Sequence, residues 1–152
     1  MAVTTVQGFQ QLKQLVGSHL GYSSWHEVTQ HEVDSFADAT EDHQWIHTDV
    51  QRAKSGPYGR TIAQGYLTLS LAVPLLFEVI GVTGTNFVVN YGVNRVRFPT
   101  PVPVGRRIRL GAVLQSAEEV TGGIQTVFEL TFELEGAAKP PCVAEMLLRY
   151  YA

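Results

Sequence analysis

The first half of the chain carries helical spacings of apolar residues, and the second half carries strict alternation. From Gly8 to Val16, Phe9, Leu12, Leu15 and Val16 fall on one helical face. A short extended piece follows near Leu20–Val28. Thr29 has the character of an N-cap, and Glu32 stands at the third helical position, as in a capping box. The helix that begins at Gln30 buries Val33, Phe36 and Ala37 and ends near Thr40. From Glu41 to Gly59 the periodicity breaks. Asp, His, Gln, Thr, Gly and Pro crowd this stretch, with one short helical turn predicted near Asp49–Lys54 and turns at Gly56-Pro57 and Gly59. Gln64–Ile80 is then apolar on nearly every side. It predicts one long helix in need of cover all round, with Pro74 bending it or costing it a hydrogen bond.

After Gly84 the period changes to two. Phe87, Val89, Tyr91, Val93 and Arg95 alternate with the other face. Pro99, Pro101 and Pro103 forbid a central strand and make an extended connection. Ile108, Leu110, Ala112 and Leu114 alternate again, and Gly122-Gly123 marks a hairpin turn. Ile124, Thr126, Phe128, Leu130, Phe132 and Leu134 form the next row, and Cys142, Ala144, Met146, Leu148 and Tyr150 the last. The pattern predicts an α+β fold in one domain, residues 1–152, with a curled antiparallel sheet wrapped around a long central helix. Such a sheet leaves an edge or an outer face to bury, which a homodimer commonly covers.

Composition narrows the function classes. The 152 residues suit one domain, and 45% are apolar, enough for a packed core. Charged residues make up 16%, against roughly 25% in an average soluble chain. The net charge of −3 argues against a nucleic-acid partner, because phosphate binding needs a concentrated basic surface. Cys142 is the only cysteine, so no intrachain disulfide forms, which fits a reducing cytoplasm. Met1–Val16 lacks the basic and apolar regions of a signal peptide. Tyr66–Ile80 is too short and too interrupted to span a membrane.

The densest reactive cluster is Glu41-Asp42-His43-Gln44-Trp45-Ile46-His47-Thr48-Asp49. Asp42 and His47 are five apart, which on a straight α-helix turns them about 140° from each other. They meet only if the segment is a loop or a broken turn, as its composition predicts. A carboxylate and an imidazole held together can position one water, take a proton from it and return a proton elsewhere. His43 and His47 as metal ligands would need a helix and a third ligand such as Asp42 or Asp49, and no Glu stands where a zinc protease places one. No metal is therefore expected. No Ser–His–Asp pattern, nucleophile elbow or phosphate loop is present. Thr61-Ile62-Ala63-Gln64-Gly65-Tyr66 opens the apolar helix, whose first N–H groups lack intrahelical acceptors. A carbonyl pointing at the Gly65 N–H would find an oxyanion hole. Gly65 is equally readable as a residue that permits close packing.

These residues resemble a known pattern. Phe36, Thr40-Glu41-Asp42-x-Gln44-Trp45-Ile46-His47, and Ala53 after five further residues are similar to the signature of MaoC-like (R)-specific enoyl-CoA hydratases. Ile62-Ala63-Gln64-Gly65 resembles that family's aliphatic-x-His-Gly. Phe98-Pro99 to Val102-x-x-Gly105 resembles its strand connection. Tyr91–Pro99, with Trp45 after Gln44, looks closest to the branch that holds nodulation-protein-N-like proteins. The resemblance covers roughly residues 25 to 150 and implies a hot-dog fold, a homodimer and reversible syn hydration of a trans-2-enoyl thioester. By resemblance, Asp42 and His47 are the catalytic pair and Gly65 supplies the oxyanion N–H. No cofactor is implied, since coenzyme A or an acyl-carrier protein is part of the substrate. Four positions depart from the pattern: Glu41 replaces Gly, Gln44 replaces Asn, Trp45 replaces Pro and Gln64 replaces His. Gln44, Trp45 and Gln64 are candidate substrate-binding residues whose changes bear on the acyl chain. Lys54, Arg60, Arg95 and Arg97 are candidates for the coenzyme A phosphates, Arg97 foremost; each is equally readable as a solvated or ion-paired residue. Two other functions share the fold: a thioesterase, for which Glu78 is the carboxylate near the helix, and a non-catalytic acyl-thioester-binding protein.

Overall fold

The computed structural model describes residues 3–152. The expectation that Met1–Val16 is no leader falls partly on Met1 and Ala2, which lie outside the described residues. The chain runs β1 (Thr4–Gln7), α1 (Gly8–Gln14), β2 (His19–Tyr22), β3 (His26–Glu27), α2 (Gln30–Thr40), α3 (Trp45–Thr48) and α4 (Val50–Ala53). It continues with α5 (Gly65–Ser70), α6 (Ala72–Val79), β4 (Ile80–Thr83), β5 (Phe87–Arg97), β6 (Arg107–Val120), β7 (Gly123–Leu134) and β8 (Val143–Tyr151). The main sheet has the order β2-β6-β7-β8-β5, with β3 also on β6, and every pair in it is antiparallel.

The alternation read from the sequence sets the faces of β6, β7 and β8; in β5 a register shift between Asn90 and Gly92 breaks the expected row, so that Val93 lies opposite Met146 on the inner face while Phe87 and Val89 lie opposite Tyr151 and Arg149 on the other. In β7, Ile124, Thr126, Phe128, Leu130 and Phe132 are fully buried, while the residues between them are less covered. Their partners across the ladder, such as Leu110 opposite Phe132 and Met146 opposite Phe128, share that inner face. The helical pair α5–α6 contributes Leu67, Ala72, Leu75, Leu76 and Val79 to the same core. A two-residue turn, Thr121-Gly122, joins β6 to β7, and Gly122 takes φ +78°, open to glycine at little cost.

Other features differ from the sequence reading. The long central helix is two helices, α5 and α6, divided at Leu71. Pro74 explains the break: it has no N–H for the Ser70 carbonyl, and its ring crowds that carbonyl. The segment after α6 also does not go straight to a turn. Ile80–Thr83 pairs in parallel with Thr4–Gln7 as a separate two-stranded sheet. The early extended piece is likewise two short strands, β2 and β3.

The Pro-rich connection lies against the segment that precedes α5. The Ala63 N–H donates to the Val102 carbonyl at 2.8 Å, and the Val104 N–H donates to the Thr61 carbonyl at 2.9 Å. The prolines that forbid a central strand here leave just these groups to pair. Residues 61–63 are thereby fixed between the sheet and the loop that follows α2.

Candidate functional site

The site is built where α2 ends. Its start matches the capping box: the Glu32 N–H donates to Thr29 Oγ1 at 3.2 Å, and the Thr29 N–H donates to Glu32 Oε2 at 2.9 Å. At its other end Glu41 takes φ +64°, in the left-handed region that favours glycine. That conformation reverses the chain and explains the glycine of the family pattern at this position. Residues 42–44 are not helical, and a single turn, α3, follows. Asp42 and His47 therefore sit on different local structures, as their spacing required. His47 Nε2 and Asp42 Oδ2 are 4.0 Å apart. That is too long for a direct hydrogen bond, and it leaves one water able to touch both at about 2.8 Å.

The two partners differ in setting. The His47 side chain is 8% exposed and the Asp42 side chain 49%. His47 Nδ1 lies 2.7 Å from the Ile62 carbonyl oxygen. A carbonyl only accepts, so Nδ1 carries the proton and Nε2 of the neutral ring is left as the base. The Ile62 N–H in turn donates to the Ile46 carbonyl at 3.0 Å. The residue that orients the histidine thus acts through its backbone, which no side-chain motif reveals.

Asp42, His47, Gln64, Gly65, Tyr66 and Phe98 line one cleft of about 280 Å³. On its other side His47 borders a second cleft of about 360 Å³ with Tyr58, Gly65, Phe98 and the Pro-rich connection. The Gly65 N–H is the first of α5 and has no intrahelical acceptor. A Cβ at Gly65 would stand 2.9 Å from a ring carbon of Phe98. The glycine therefore admits the Phe98 ring against the helix head. Phe98 in turn meets the edge of Tyr66, at 5.9 Å between centroids. Gln64 is buried; its Nε2 donates to the Val33 carbonyl at 3.1 Å, and its Oε1 has no partner.

The structure brings Asp42, His47, Gln64 and Gly65 together and leaves the other candidates outside both clefts. Gln44 offers its backbone carbonyl to the His47 N–H at 3.0 Å, and its side chain is exposed. Trp45 packs away from the cleft, with the Arg52 guanidinium 4.2 Å above its ring and Gly56 against its edge. Lys54 reaches Gln51, Arg60 reaches the Val104 carbonyl, and Arg97 folds back onto the Val96 carbonyl. Arg95 is exposed at a break in the β5–β8 register, with φ +52°. None of these four cations forms an ion pair among the described residues. Glu78 is held at the far end of the helical pair, where its carboxylate accepts from the Ser24 N–H at 2.8 Å and from Ser24 Oγ at 2.6 Å. His43 faces Asp38 at 3.8 Å, away from His47.

Residues 11–133 match the family described as MaoC like domain. The chain belongs to that family. Among MaoC-like relatives, 3-hydroxyacyl-thioester dehydratase Z of Mycobacterium tuberculosis is 47% identical over 97% of this chain and 99% of its own length. Nodulation protein N of Rhizobium leguminosarum is 39% identical over 87% of this chain and 84% of its own. The unliganded (R)-hydratase of Pseudomonas aeruginosa superposes with a TM-score of 0.72, at 17% identity, over 95% of this chain and 85% of that one. That likeness establishes the fold: a MaoC-type curled antiparallel sheet with few helices. The resemblance on Phe36–Ala53, Ile62–Gly65 and Phe98–Gly105 is thereby borne out, the nodulation-protein-N branch included.

Proposed function

We propose that this MaoC-like chain is a hydro-lyase, an (R)-specific enoyl-thioester hydratase that also runs as a 3-hydroxyacyl-thioester dehydratase. Family membership and the 47% identity to a 3-hydroxyacyl-thioester dehydratase support the reaction class. The observation that carries the reading is the Asp42–His47 gap of 4.0 Å in a cleft that also holds the Gly65 N–H. A water held between carboxylate and imidazole loses a proton to one of them as its oxygen bonds to C3 of the enoyl thioester. The electron pair of the double bond shifts toward the thioester carbonyl, whose oxygen takes up the negative charge and accepts a hydrogen bond donated by the Gly65 N–H. A proton from the same pair then reaches C2 from the same face, which makes the addition syn. Dehydration reverses each step. No cofactor takes part in this scheme; coenzyme A or an acyl-carrier protein is the thioester's own carrier.

The uncovered surface supports a homodimer. Among the described residues β5 pairs only with β8, and Phe87, Val89, Tyr91 and Val93 along it are all at least 40% exposed. Tyr66 and Phe77 on the helical pair are exposed as well. A second copy laid on this edge would bury it and close the cleft beside Phe98. Coenzyme A phosphates then meet whichever of Lys54, Arg60, Arg95 and Arg97 the closed cleft approaches. Gln44 and Trp45 act on the substrate only through the shape of the α3 turn. Among the described residues no helix is long and apolar enough to cross a membrane, and we place the single-domain enzyme in the cytoplasm.

The thioesterase alternative loses its carboxylate, since Glu78 is tied to Ser24. Incubation with crotonyl-CoA separates the reactions. Loss of the enoyl absorbance with an (R)-3-hydroxy product and no free thiol supports hydration. Release of thiol without hydration overturns it.

A further inference from the structure

We propose that Gln30 is a positioning residue that holds His47 in its Nδ1–H form. Gln30 is the first residue of α2, 17 positions from His47 and 31 from Thr61. Its side chain nevertheless joins both. Nε2 donates to the His47 carbonyl at 2.8 Å and to Asp34 Oδ1 at 2.9 Å. Oε1 accepts from Thr61 Oγ1 at 2.6 Å. Both amide protons and the oxygen are thus engaged.

The arrangement fixes which end of the amide is which. The His47 carbonyl only accepts, so the NH₂ faces it, and the oxygen must face the Thr61 hydroxyl. Thr61 is 3% exposed and directly precedes Ile62, whose carbonyl receives His47 Nδ1–H. One amide therefore grips the backbone of the histidine and the side chain next to the group that orients its ring. Ile62 N–H to the Ile46 carbonyl closes the ring of contacts from the other side. Two pieces of chain with no helix in common, residues 46–47 and 61–62, are locked in register by a side chain from a third.

The consequence is chemical. A ring whose Nδ1–H···O=C bond is fixed presents an unprotonated Nε2 to Asp42, ready to take a proton from water. Without Gln30 the two segments are held by the Ile62 N–H to Ile46 carbonyl bond alone, the Ile62 carbonyl is less tightly set against the ring, and the ring samples both tautomers. Only one of them is a base toward the cleft. The loss falls on the reacting fraction and leaves the acyl-binding surface unchanged. This part of the proposal rests on His47 being the reacting base.

The test uses Gln30→Met, which keeps length and shape but has no amide, with Thr61→Val and the double variant beside it. The ring tautomer of His47 is read in the free protein by long-range ¹H–¹⁵N NMR, with His47→Gln identifying its signals. Gln30→Met is expected to convert a single Nδ1–H form into a mixture. It should lower kcat on an enoyl thioester about tenfold with KM within twofold. Thr61→Val shifts both readouts the same way by less, and Thr61→Ser restores them. The double variant is no worse than Gln30→Met, because both residues act through one device. An unchanged tautomer in Gln30→Met overturns the proposal, as does a rise in KM that parallels the fall in kcat. If Gln30→Met does not fold, an unchanged tautomer and kcat in folded Thr61→Val overturn it equally. A parent with no hydratase activity defeats the proposed function, while the tautomer result still decides the role of Gln30.

Discussion

Strands β7 and β5 both turn side chains toward the inner face of the sheet and end in opposite situations. Along β7, Ile124, Phe128, Leu130 and Phe132 are fully buried. On the same inner face of β5, Val88 is half-buried, Asn90 is exposed and Val93 is 43% exposed, although their partners Tyr150, Leu148 and Met146 are buried. The difference lies in their neighbours. β7 has β6 on one edge and β8 on the other, with the helical pair contributing to the core on its inner face. β5 has β8 alone. Alternation reports which side chains share a face; what covers that face is decided elsewhere in the fold. The uncovered strand runs into Phe98, at the cleft, so the unpartnered region and the reactive region adjoin.

Substitutions on the two strands sharpen this contrast. Phe128→Ala, in the covered row, should cost about 3–5 kcal/mol of unfolding free energy, read by denaturant titration. A loss below about 1 kcal/mol would mean that the β7 row is not the core. The same covered face sets a pH limit. Burial pushes the Cys142 thiol and the Tyr150 phenol up, each to about 12. Each is raised above its unfolded value, so its contribution is full below that value. Unfolding free energy should therefore fall as pH rises from about 9 toward 12. Cys142→Ala should flatten part of that slope; an unchanged slope removes the thiol from the account.

On the uncovered strand, Val89→Lys with Val93→Lys should leave the folded protomer nearly as stable as the parent. It should weaken self-association by more than tenfold, or more than about 1.4 kcal/mol, in analytical ultracentrifugation. Unaltered association would move the interface off β5. The smallest effect is expected at Glu41, whose left-handed backbone strains any residue but glycine. Glu41→Gly should raise unfolding free energy by up to about 1 kcal/mol. A loss of stability there would show the side chain to be holding the loop.

What was legible in the sequence follows the range of the forces involved. The capping box of Thr29 and Glu32, the rows of β6 to β8 and the broken turn between Asp42 and His47 are local patterns, and each stands in the structure. The break at Leu71 was half legible: Pro74 was visible, but whether a proline bends or divides a helix depends on what packs around it. The parallel pairing of Thr4–Gln7 with Ile80–Thr83 joins segments more than seventy residues apart and leaves no periodic trace. The same holds at the site. The juxtaposed pair Asp42 and His47 was legible because residue type and spacing announce it. The Ile62 carbonyl and the Gln30 amide were not, because a backbone oxygen has no letter of its own and a glutamine at a helix start looks like any other. The sequence makes Trp45 a candidate substrate-binding residue, yet it packs under Arg52, because a one-turn helix can face its aromatic to either side.

The central claim is that Asp42 and His47 together move water onto an enoyl thioester. The most direct test is the turnover of a trans-2-enoyl-CoA series by the parent, Asp42→Asn and His47→Gln, with thermal unfolding of each as the check on folding. The account predicts hydration by the parent at one or more chain lengths. It predicts a loss of kcat of about 10²–10⁴ in each variant with melting behaviour preserved. No turnover by the parent at any chain length, or variants as active as the parent, would contradict it.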